Sequence, residues 1–581
     1  MKKIDKEYYE ILKQVDYKKM ERTLRESFER QVFYYDKELL IKMLIVAYIL
    51  LRAQDFEIEL KDKDFNSFIN LLDTSDKVKE TLQYYTNDNV IWMIAKNFLG
   101  VFQNDELSSF ILFNNSFNPR RSYYCIDTLP EGVLKLGLEL LEIKDNDNIL
   151  EVNSGMGNFE IQNFLYNQKT KLKGLEIDTI SNQIAILRFS LFSDNEDIFE
   201  NINISNYKIT KEVNKIFVNF PFSEMLAQRE SRFLSDAELP EWKINKLLLA
   251  KIKEGTKVVS IVRESSLSIR RNQSILKEFI EKGLIETVIS LPTGIFQTLN
   301  IQATLLVFSR GNKKIRFIDA TDSYTVEKKN NTISNENIEE ILELLSKDSK
   351  KTISKDIQEI IKNDYNLNVN KNIQENYQLK EGVELKAVIK NITRGSQLRL
   401  SELEELKSDE VTPYLYLTLT NINDGIIEFD NNEQYLRMIP EKLEKYCIKN
   451  NSFLIAKIGT PPYKFAIAQI DNGTKLLANG NLFIIELDEL KINPWYLAAF
   501  FGSDQGIEYL KYRYKGNVIP HLSILDLETI VIPLPDLKEQ NKIAQEYIET
   551  VEKIKKLKEE LENEKTSLRS IFKIKGGEIK L

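Results

Sequence analysis

The stretch that decides the fold is Asn148-Ile149-Leu150-Glu151-Val152-Asn153-Ser154-Gly155-Met156-Gly157, an apolar run that ends in two glycines. Its first five residues predict a buried β-strand, because apolar side chains dominate and turn residues follow directly. Glycines at a strand-to-helix turn let the backbone approach a ligand closely, and the helix that follows offers a positive N-terminus. A plain tight turn explains the same pattern, so this stretch alone leaves a ligand site and a simple turn both open.

Further apolar strands alternate with helical patterns beyond this stretch. They are residues 172–177, 215–218, 257–262, 285–290 and 304–308. Such alternation predicts an α/β fold, a doubly wound Rossmann-like sheet with helices on both faces. We therefore expect residues 119–322 to form one domain around this sheet.

The other segments differ from this α/β pattern. Residues 1–118 have apolar residues at helical spacing and predict an N-terminal helical domain. Residues 323–385 predict a helical connector, and residues 386–536 change to short strands, turns and many aromatics, typical of an α+β domain. Residues 537–581 predict a long charged helix with an apolar stripe, either a solvated terminal helix or a helix that pairs with another.

Length and composition predict a globular protein of several domains. The chain has 581 residues, of which 42% are hydrophobic and 29% charged. No apolar run reaches membrane-spanning length and the N-terminus is charged, so we expect a cytoplasmic protein that does not contact membranes. With one histidine, His521, and two distant cysteines, Cys125 and Cys447, we expect no disulfide framework and no metal site.

Two features near the glycine turn indicate a nucleoside-like ligand. Glu176 lies near the end of the next predicted strand, at the spacing where an acid binds a ribose diol. Upstream, Thr128-Leu129-Pro130-Glu131 opens a predicted helix. Its Thr-x-x-Glu pattern is equally an ordinary capping box, so a binding role and a capping role for Thr128 both stay open.

A second motif follows the strand at residues 215–218. Asn219-Phe220-Pro221-Phe222 resembles the Asn-Pro-Pro-Phe/Tyr signature of the amino-methylating DNA methyltransferases. Leu291-Pro292-Thr293-Gly294-Ile295-Phe296, Arg316-Phe317-Ile318-Asp319-Ala320 and Asn363-Asp364-Tyr365-Asn366-Leu367-Asn368 look like the modification subunit of type I restriction systems. The resemblance covers about residues 120–370. It implies an adenine-N6 methyltransferase that uses S-adenosylmethionine and acts on double-stranded DNA.

The resemblance also implies catalytic roles for the second motif, Asn219 to Phe222 with Pro221 at its centre. The Asn219 side-chain oxygen and the Phe220 carbonyl would accept the two N–H bonds of the adenine amine, which localises the nitrogen lone pair toward the methyl donor. The base must flip out of the duplex to reach them. Phe222 is the expected stacking platform and Phe296 the opposite one, although both also fit a role as core aromatics.

For the cofactor, the resemblance implies a larger set of residues. These are Thr128, Glu151, Gly155, Gly157, Glu176 and Asn203. Four positions depart from the family pattern: Glu151 replaces an aspartate, Leu129 and Phe220 replace prolines, and Asn203 replaces a frequent acid. Phe220 keeps the carbonyl but loses the fixed φ of proline. The departures leave a second function open, a catalytically silent methyltransferase-like scaffold that binds DNA in a restriction or defence system.

Residues 386–536 resemble one target-recognition domain of the type I specificity subunit. The matching pieces are residues 392–395, 416–425, 453–460 and 532–540. The predicted DNA contacts are Arg394, Lys511, Arg513, Lys515 and Asn517, the last four interleaved with Tyr512 and Tyr514, although a solvated loop fits equally. The expected protein partners are a restriction subunit or a second copy bound through the tail helix.

One sequence pattern raises a third function. Glu59-Leu60-Lys61 has the Glu-x-Lys form of a nuclease core. It lies in a helical segment without a well-spaced acid on a preceding strand, so the sequence disfavours an N-terminal nuclease.

Overall fold

The computed structural model describes residues 3–28, 36–114, 129–195, 198–220, 239–267, 272–296, 301–327, 330–373, 382–423, 425–429, 433–514 and 520–576. The chain divides into two compact units, Met1–Ile373 and Gln374–Leu581. Five predicted site residues lie outside the described residues: Thr128, Pro221, Phe222, Lys515 and Asn517.

The first unit begins with helices. They are α1 Lys6–Leu12, α2 Lys18–Ser27, α3 Asp36–Asp55, α4 Phe65–Leu71, α5 Asp76–Gln83, α6 Asn89–Phe98 and α7 Asn104–Phe113. Asp64, Ser75 and Asp88 cap the N-termini of α4, α5 and α6 by accepting backbone N–H bonds. Within the described ranges, every helix falls short of the length and apolar character that a membrane span requires.

A mixed sheet follows these helices. Its strands are β1 Asn148–Val152, β2 Lys171–Glu176, β3 Phe199–Asn201, β4 Lys215–Val218, β5 Lys257–Arg263, β6 Ile285–Ser290, β7 Ala303–Phe308, β8 Lys314–Asp319 and, after the hairpin β9 Thr325–Glu327 and β10 Asn330–Thr332, β11 Thr352–Asp356. Their order across the sheet is β3-β2-β1-β4-β5-β7-β6-β8-β11. Strands β1 to β5 run parallel, and β7 runs antiparallel between β5 and β6. The predicted doubly wound sheet is confirmed.

Helices connect and cover these strands. They are α8 Glu131–Leu141, α9 Asn158–Tyr166, α10 Thr179–Phe189, α11 Pro240–Lys251, α12 Gln273–Glu281, α13 Asn335–Ser346, α14 Ile357–Lys362 and α15 Val369–Ile373. The N-terminal helices share one apolar core with α9 and α10. Arg188 of α10 is fully buried and donates to the carbonyls of Ile111 at 2.9 Å and Asn114 at 3.0 Å. The N-terminal helices and the sheet are therefore packed as one unit.

The segment expected to be a helical connector, residues 323–385, differs from that expectation. It contains α13 to α15 but also β9, β10 and β11. Strand β11 pairs antiparallel with β8, with Thr352 opposite Ile318. Only Ile353 of its five residues is apolar, so hydrophobicity carried no strand signal. Pairing with the edge of an existing sheet decides the structure here.

The second unit is an α+β domain followed by a long helix, as predicted. Its strands are β12 Val383–Glu384, β13 Ile389–Arg394, β14 Tyr414–Leu417, β15 Ile422–Asn423, β16 Ile426–Ile427, β17 Phe453–Ala456, β18 Phe465–Ile467, β19 Lys475–Ala478, β20 Leu482–Leu487 and β21 Val531–Ile532. Its helices are α16 Leu400–Leu406, α17 Pro494–Gly502, α18 Asp504–Lys511, α19 Ile524–Glu528 and α20 Leu537–Gly576. Strands β13, β20, β17 and β18 form an antiparallel sheet in that order.

Helix α20 has a packed half and an exposed half. In the first half, Ala544 and Val551 are buried, and Gln540 accepts the backbone N–H of Asn493 at 2.9 Å. In the second half, Leu557 and Leu561 of the predicted apolar stripe are each 54% exposed. The second half of the stripe thus has no cover within the described part of this unit.

Candidate functional site

The carboxyl ends of β1 and β4 lie side by side in the sheet. Val152 is opposite Val218, and the backbone N–H of Asn219 donates to the Val152 carbonyl at 3.1 Å. The strand order reverses direction at this pair, and in open α/β sheets ligands bind in the crevice at such a switch point. The glycine turn after β1 and the Asn219 motif after β4 are therefore brought together.

The glycine turn after β1 is held in an unusual backbone conformation. Asn153, Gly155 and Gly157 have φ values of 62°, 56° and 80°, the left-handed region that favours glycine. A Cβ on Gly157 would lie 3.0 Å from the Cβ of Ala185, whereas a Cβ on Gly155 would meet no atom within 4 Å. Gly157 thus serves close packing on α10, and Gly155 borders open space at the mouth of the turn.

Glu176 fastens this turn to the end of β2. One carboxylate oxygen accepts the N–H of Gly155 at 2.7 Å and the other accepts the N–H of Asp178 at 2.8 Å. Burial raises the pKa of Glu176, and these two backbone N–H bonds partly oppose that effect. Each oxygen keeps a second lone pair, so the carboxylate can still accept bonds from a ligand.

Lys37 of α3 reaches the same edge from the N-terminal helices. Its Nζ lies 3.4 Å from Asp178 Oδ1 and 3.3 Å from Ser181 Oγ. Asp178 also caps α10 by accepting the Ser181 N–H at 2.8 Å. Burial raises the pKa of Asp178, but Lys37 and the Ser181 N–H outweigh it and the net pKa is lowered. The Asp-x-x-Ser cap was readable in the sequence, whereas nothing local pointed to Lys37.

Glu151 of β1 and Glu160 of α9 form a buried pair behind the turn. Glu151 is 1% exposed and Glu160 is 0% exposed. Burial raises the pKa of both carboxyl groups, and the charge of Glu160 raises the pKa of Glu151 further. Glu151 Oε2 and both oxygens of Glu160 have no hydrogen-bond donor in the described structure. Gly174, opposite Glu151 on β2, makes room, because a Cβ there would clash with Glu160 Oε1.

Two polar side chains of the turn have buried atoms without a partner among the described residues. They are Asn153 Nδ2 and Ser154 Oγ. Ser154 is 3% exposed. Since buried polar atoms are nearly always hydrogen-bonded, these two are candidates for contact with a ligand.

The other sequence-predicted residues of the first unit fall into different surroundings. Asn219 is half-buried and Phe220 is 2% exposed. Asn203 is half-buried in the turn after β3, where its side chain accepts the Ser205 N–H at 2.8 Å. Phe296 is 5% exposed within the apolar core of the sheet. That surrounding favours the core-aromatic alternative, and its stacking role stays a prediction.

The helix-capping role of the Thr-x-x-Glu pattern is disfavoured. Helix α8 begins at Glu131 with Pro130 as its N-cap, so Glu131 occupies the first position rather than the third. The Glu131 carboxylate instead pairs with Lys13 at 2.7 Å and Lys135 at 2.8 Å. Thr128 itself lies outside the described residues.

A buried acid that the sequence analysis missed lies after β5. Glu264 is 3% exposed and accepts hydrogen bonds from the hydroxyls of Ser290, at 3.0 Å, and Thr304. The Asn368 amide donates to it at 3.0 Å. Burial raises the pKa of Glu264 to about 7, opposed by the two hydroxyl bonds. Glu264 thus ties the Asn363–Asn368 motif to the sheet, and its polar partners come from three separate segments that no local pattern links.

One predicted DNA contact of the second unit, Arg394, lies near Lys457, just after β17. Tyr514 donates to the Ala456 carbonyl, and His521 pairs with Ile458 through a backbone bridge. Lys457 follows β17, and Arg394 at the end of β13 is close enough to lower the pKa of Lys457, after the larger effect of burial. Lys457 lies in the matching segment 453–460, but the sequence alone does not distinguish it as a DNA contact.

The aromatic residues between the predicted contacts are not available for DNA bases. Tyr512 and Tyr514 are 4% and 5% exposed, and Tyr514 stacks on Tyr463 with ring centroids 4.0 Å apart. Half-buried Arg513 donates to the Tyr509 hydroxyl at 2.9 Å, and half-buried Arg394 donates to the Gly480 carbonyl at 2.9 Å. The tyrosines belong to the core, whereas the basic residues stay predicted contacts.

The Glu-x-Lys pattern lies in a helical part of the described chain. Among the described residues, no three His, Cys, Asp or Glu side chains are grouped so that they could hold a metal ion. Residues 59–61 lie between α3 and α4, and residues 3–28 and 36–114 contain no strand. Among these described residues, the Glu-x-Lys pattern therefore has no strand on which a nuclease core would place its acids.

Comparison with protein families divides the chain at nearly the same place as the two compact units. Residues 123–381 match the N-6 DNA Methylase family model. Residues 399–564 match the model of the type I restriction modification DNA specificity domain. Both matches agree with the resemblance drawn from the motifs.

Individual relatives are similar over part of their length. A type I restriction enzyme methylase subunit, MjaVII, from Methanocaldococcus jannaschii is 26% identical over 49% of this chain and 55% of its own length. Another, MpnII, from Mycoplasma pneumoniae is 31% identical over 20% of this chain and 23% of its own. The chain thus spans about half the length of the first relative and less of the second.

A solved structure is also similar. The type I restriction-modification methyltransferase subunit from Streptococcus thermophilus is 16% identical, with a TM-score of 0.46 over 60% of this chain and 97% of its own. The chain thus carries, in one polypeptide, a segment that matches the N-6 DNA Methylase family model followed by a segment that matches the type I restriction modification DNA specificity domain.

Proposed function

We propose that this chain transfers a methyl group from S-adenosylmethionine to the exocyclic amine of an adenine in DNA, at a sequence chosen by its own second unit. The observation that carries the proposal is the pairing of β1 with β4, which puts the glycine turn beside Asn219. A methyl donor and an acceptor amine must be held next to each other in the right orientation, and this juxtaposition offers a place for each.

The residues at the turn fit S-adenosylmethionine. Glu176 offers acceptor lone pairs for a ribose diol, and Asn153 and Ser154 have polar atoms without a partner among the described residues, which could contact the amino-acid portion. The acids Glu151, Glu160 and Glu176 suit a ligand with net positive charge. When bound, the cofactor supplies an electrophilic methyl group on a sulfonium.

Asn219 and Phe220 would orient the acceptor. The adenine amine is a poor nucleophile, because its lone pair is delocalised into the ring. The Asn219 side-chain oxygen and the Phe220 carbonyl would accept its two N–H bonds and localise the lone pair on nitrogen. The buried Phe220 side chain anchors the second position where the family has proline. The target base would leave the duplex to reach this point.

The second unit would read the DNA. Arg394 and Lys457 come from distant parts of the sequence and lie near each other, and Arg513 directly precedes Tyr514, which donates to the Ala456 carbonyl. Cationic side chains in one region supply the phosphate contacts that position a protein on DNA. A second copy or a restriction subunit bound to the exposed half of α20 would complete an assembly.

The test is methylation of DNA by the purified protein, with modified adenines mapped by sequencing. Asn219→Ala should abolish transfer while S-adenosylmethionine affinity stays within about twofold, because Asn219 is assigned to the acceptor rather than the donor. Asn195→Ala, at an exposed loop position, is the matched control and should retain activity.

Two results would overturn the proposal. Wild-type transfer by Asn219→Ala would remove Asn219 from the chemistry. Binding of cofactor and DNA by the wild-type protein without any transfer would instead support the catalytically silent scaffold. The replacement of proline by Phe220, which removes a fixed φ from the motif, is the observation that favours that second candidate.

A further inference from the structure

The buried pair Glu151 and Glu160 is unusual because no cation among the described residues pairs with it. Both side chains are at least 99% buried, and three of their four carboxyl oxygens have no donor among the described residues. Two adjacent buried carboxylates cannot both be ionised at low cost, since each charge opposes the other and water is excluded. The two side chains therefore behave as one titrating unit.

The position of the pair connects it to the glycine turn. Glu151 is two residues before Asn153, and Glu160 is three residues after Gly157, so the pair flanks both ends of the turn. Gly174 of β2 lies next to both Glu160 and the turn, because a Cβ on Gly174 would clash with Glu160 and lie 3.1 Å from Ser154 Cβ. A change of charge on the pair therefore changes the electrostatic potential where the ligand is proposed to bind.

The charged groups around the pair come from the elements packed on it. Glu176 of β2 is a further acid and adds repulsion to both members. Lys37 of α3 is directed to Asp178, and Arg188 of α10 donates to Asn158 Oδ1 at 3.4 Å. Neither cation donates to the pair, and Arg188 is committed to carbonyls of residues 111 and 114.

We propose that Glu151 and Glu160 share one proton in the free protein and release it to the solvent when the cationic methyl donor binds, so that the site favours the donor over its demethylated product. The donor carries a sulfonium, whereas the product, S-adenosylhomocysteine, lacks the transferred methyl group and has a neutral sulfur. A positive charge near the turn stabilises the doubly ionised pair by Coulomb attraction. This inference rests on the proposed cofactor site and names the residues that select its ligand.

Isothermal titration calorimetry of the full chain tests the proposal directly. Titrations with S-adenosylmethionine and with S-adenosylhomocysteine, in two buffers of different ionisation enthalpy at about pH 7, report the protons released on binding. We expect the donor to release more protons than the product, by up to about one per site. The affinity ratio of donor to product should accordingly rise with pH, by at most about tenfold per pH unit.

Variants assign the effect to the pair. Glu160→Gln should remove the difference in proton release between the two ligands, and Glu151→Gln should do the same if the first variant does not fold. Glu254→Gln, an exposed glutamate before β5, is the matched control and should keep the difference.

Each outcome decides the proposal. Equal proton release by the two ligands in the wild-type protein overturns it while leaving the cofactor site in place. A difference that persists in Glu160→Gln and Glu151→Gln also overturns it, because the proton then belongs to another group. Absence of any binding by either ligand overturns the proposed cofactor site together with this inference.

Discussion

Glu176→Ala should weaken S-adenosylmethionine binding by about 1.5–3 kcal/mol, the range for a hydrogen bond to a charged group. At 25 °C that range corresponds to a loss of roughly 12- to 160-fold in affinity. The structure adds a second term, because the carboxylate also accepts the N–H groups of Gly155 and Asp178. Without an acceptor, each of these part-buried N–H groups costs up to about 1–3 kcal/mol unless water replaces the carboxylate. The variant should therefore also unfold at a lower temperature without ligand.

Two further variants separate the expected loss of cofactor affinity from the expected loss of stability. Glu176→Gln keeps an oxygen that can accept one of the two N–H bonds but loses the charge, so its stability should fall less while its cofactor affinity still falls. Glu200→Ala on the neighbouring strand β3 removes an acid paired with Lys173 at 3.0 Å and should leave cofactor affinity unchanged. Calorimetry measures affinity, and thermal unfolding of the free protein measures stability. Unchanged cofactor affinity in folded Glu176→Ala would refute the assignment of Glu176 to the ribose.

Two further predictions concern stability and assembly. Burial raises the pKa of Glu264 to about 7 in the folded chain, so the unfolded chain loses this proton first as pH rises. The free energy of unfolding should therefore fall by up to about 3 kcal/mol between the ordinary pKa of 4.5 and pH 7, and then level off. Glu264→Gln should remove that fall in urea unfolding, and an unchanged pH profile would contradict the prediction. Because Leu557 and Leu561 are exposed, we expect α20 to pair two copies, so that the methylated site consists of two inverted halves with a fixed spacer. A continuous, asymmetric methylated sequence would show that the chain reads DNA as a monomer.

The strands around the site were predictable because their signal is local. β1, β4 and β6 have the bounds that the apolar runs predicted, and each is buried over nearly its whole length. The position of Glu176 at the end of β2 was predictable from its spacing along a βαβ unit, and Glu176 accepts the Gly155 N–H, whereas its role in ribose binding stays a prediction. In these cases the residues that determine the structure are neighbours in the sequence.

What could not be predicted depends on partners far away in the chain. Lys37 approaches Asp178 from 141 positions upstream, and Asn368 donates to Glu264 across 104 positions. Tyr512 and Tyr514 looked like aromatic residues of a DNA-binding loop, but both are buried, and Tyr514 stacks on Tyr463. A pattern of alternating basic and aromatic residues does not reveal which side chains the remaining chain will cover.

The charges at the turn also distinguish between ligand classes that a glycine-rich strand-to-helix turn can serve. In dinucleotide sites the free N–H groups and positive end of the helix bind a pyrophosphate. Here Glu160 occupies the third position of α9, Glu151 lies beside it, and Glu176 already accepts the Gly155 N–H. A phosphate would meet negative charge at this helix end and would compete with Glu176 for the same N–H group. The turn is therefore unsuited to a phosphate, whereas a cationic ligand with a ribose diol meets acceptors and favourable charge.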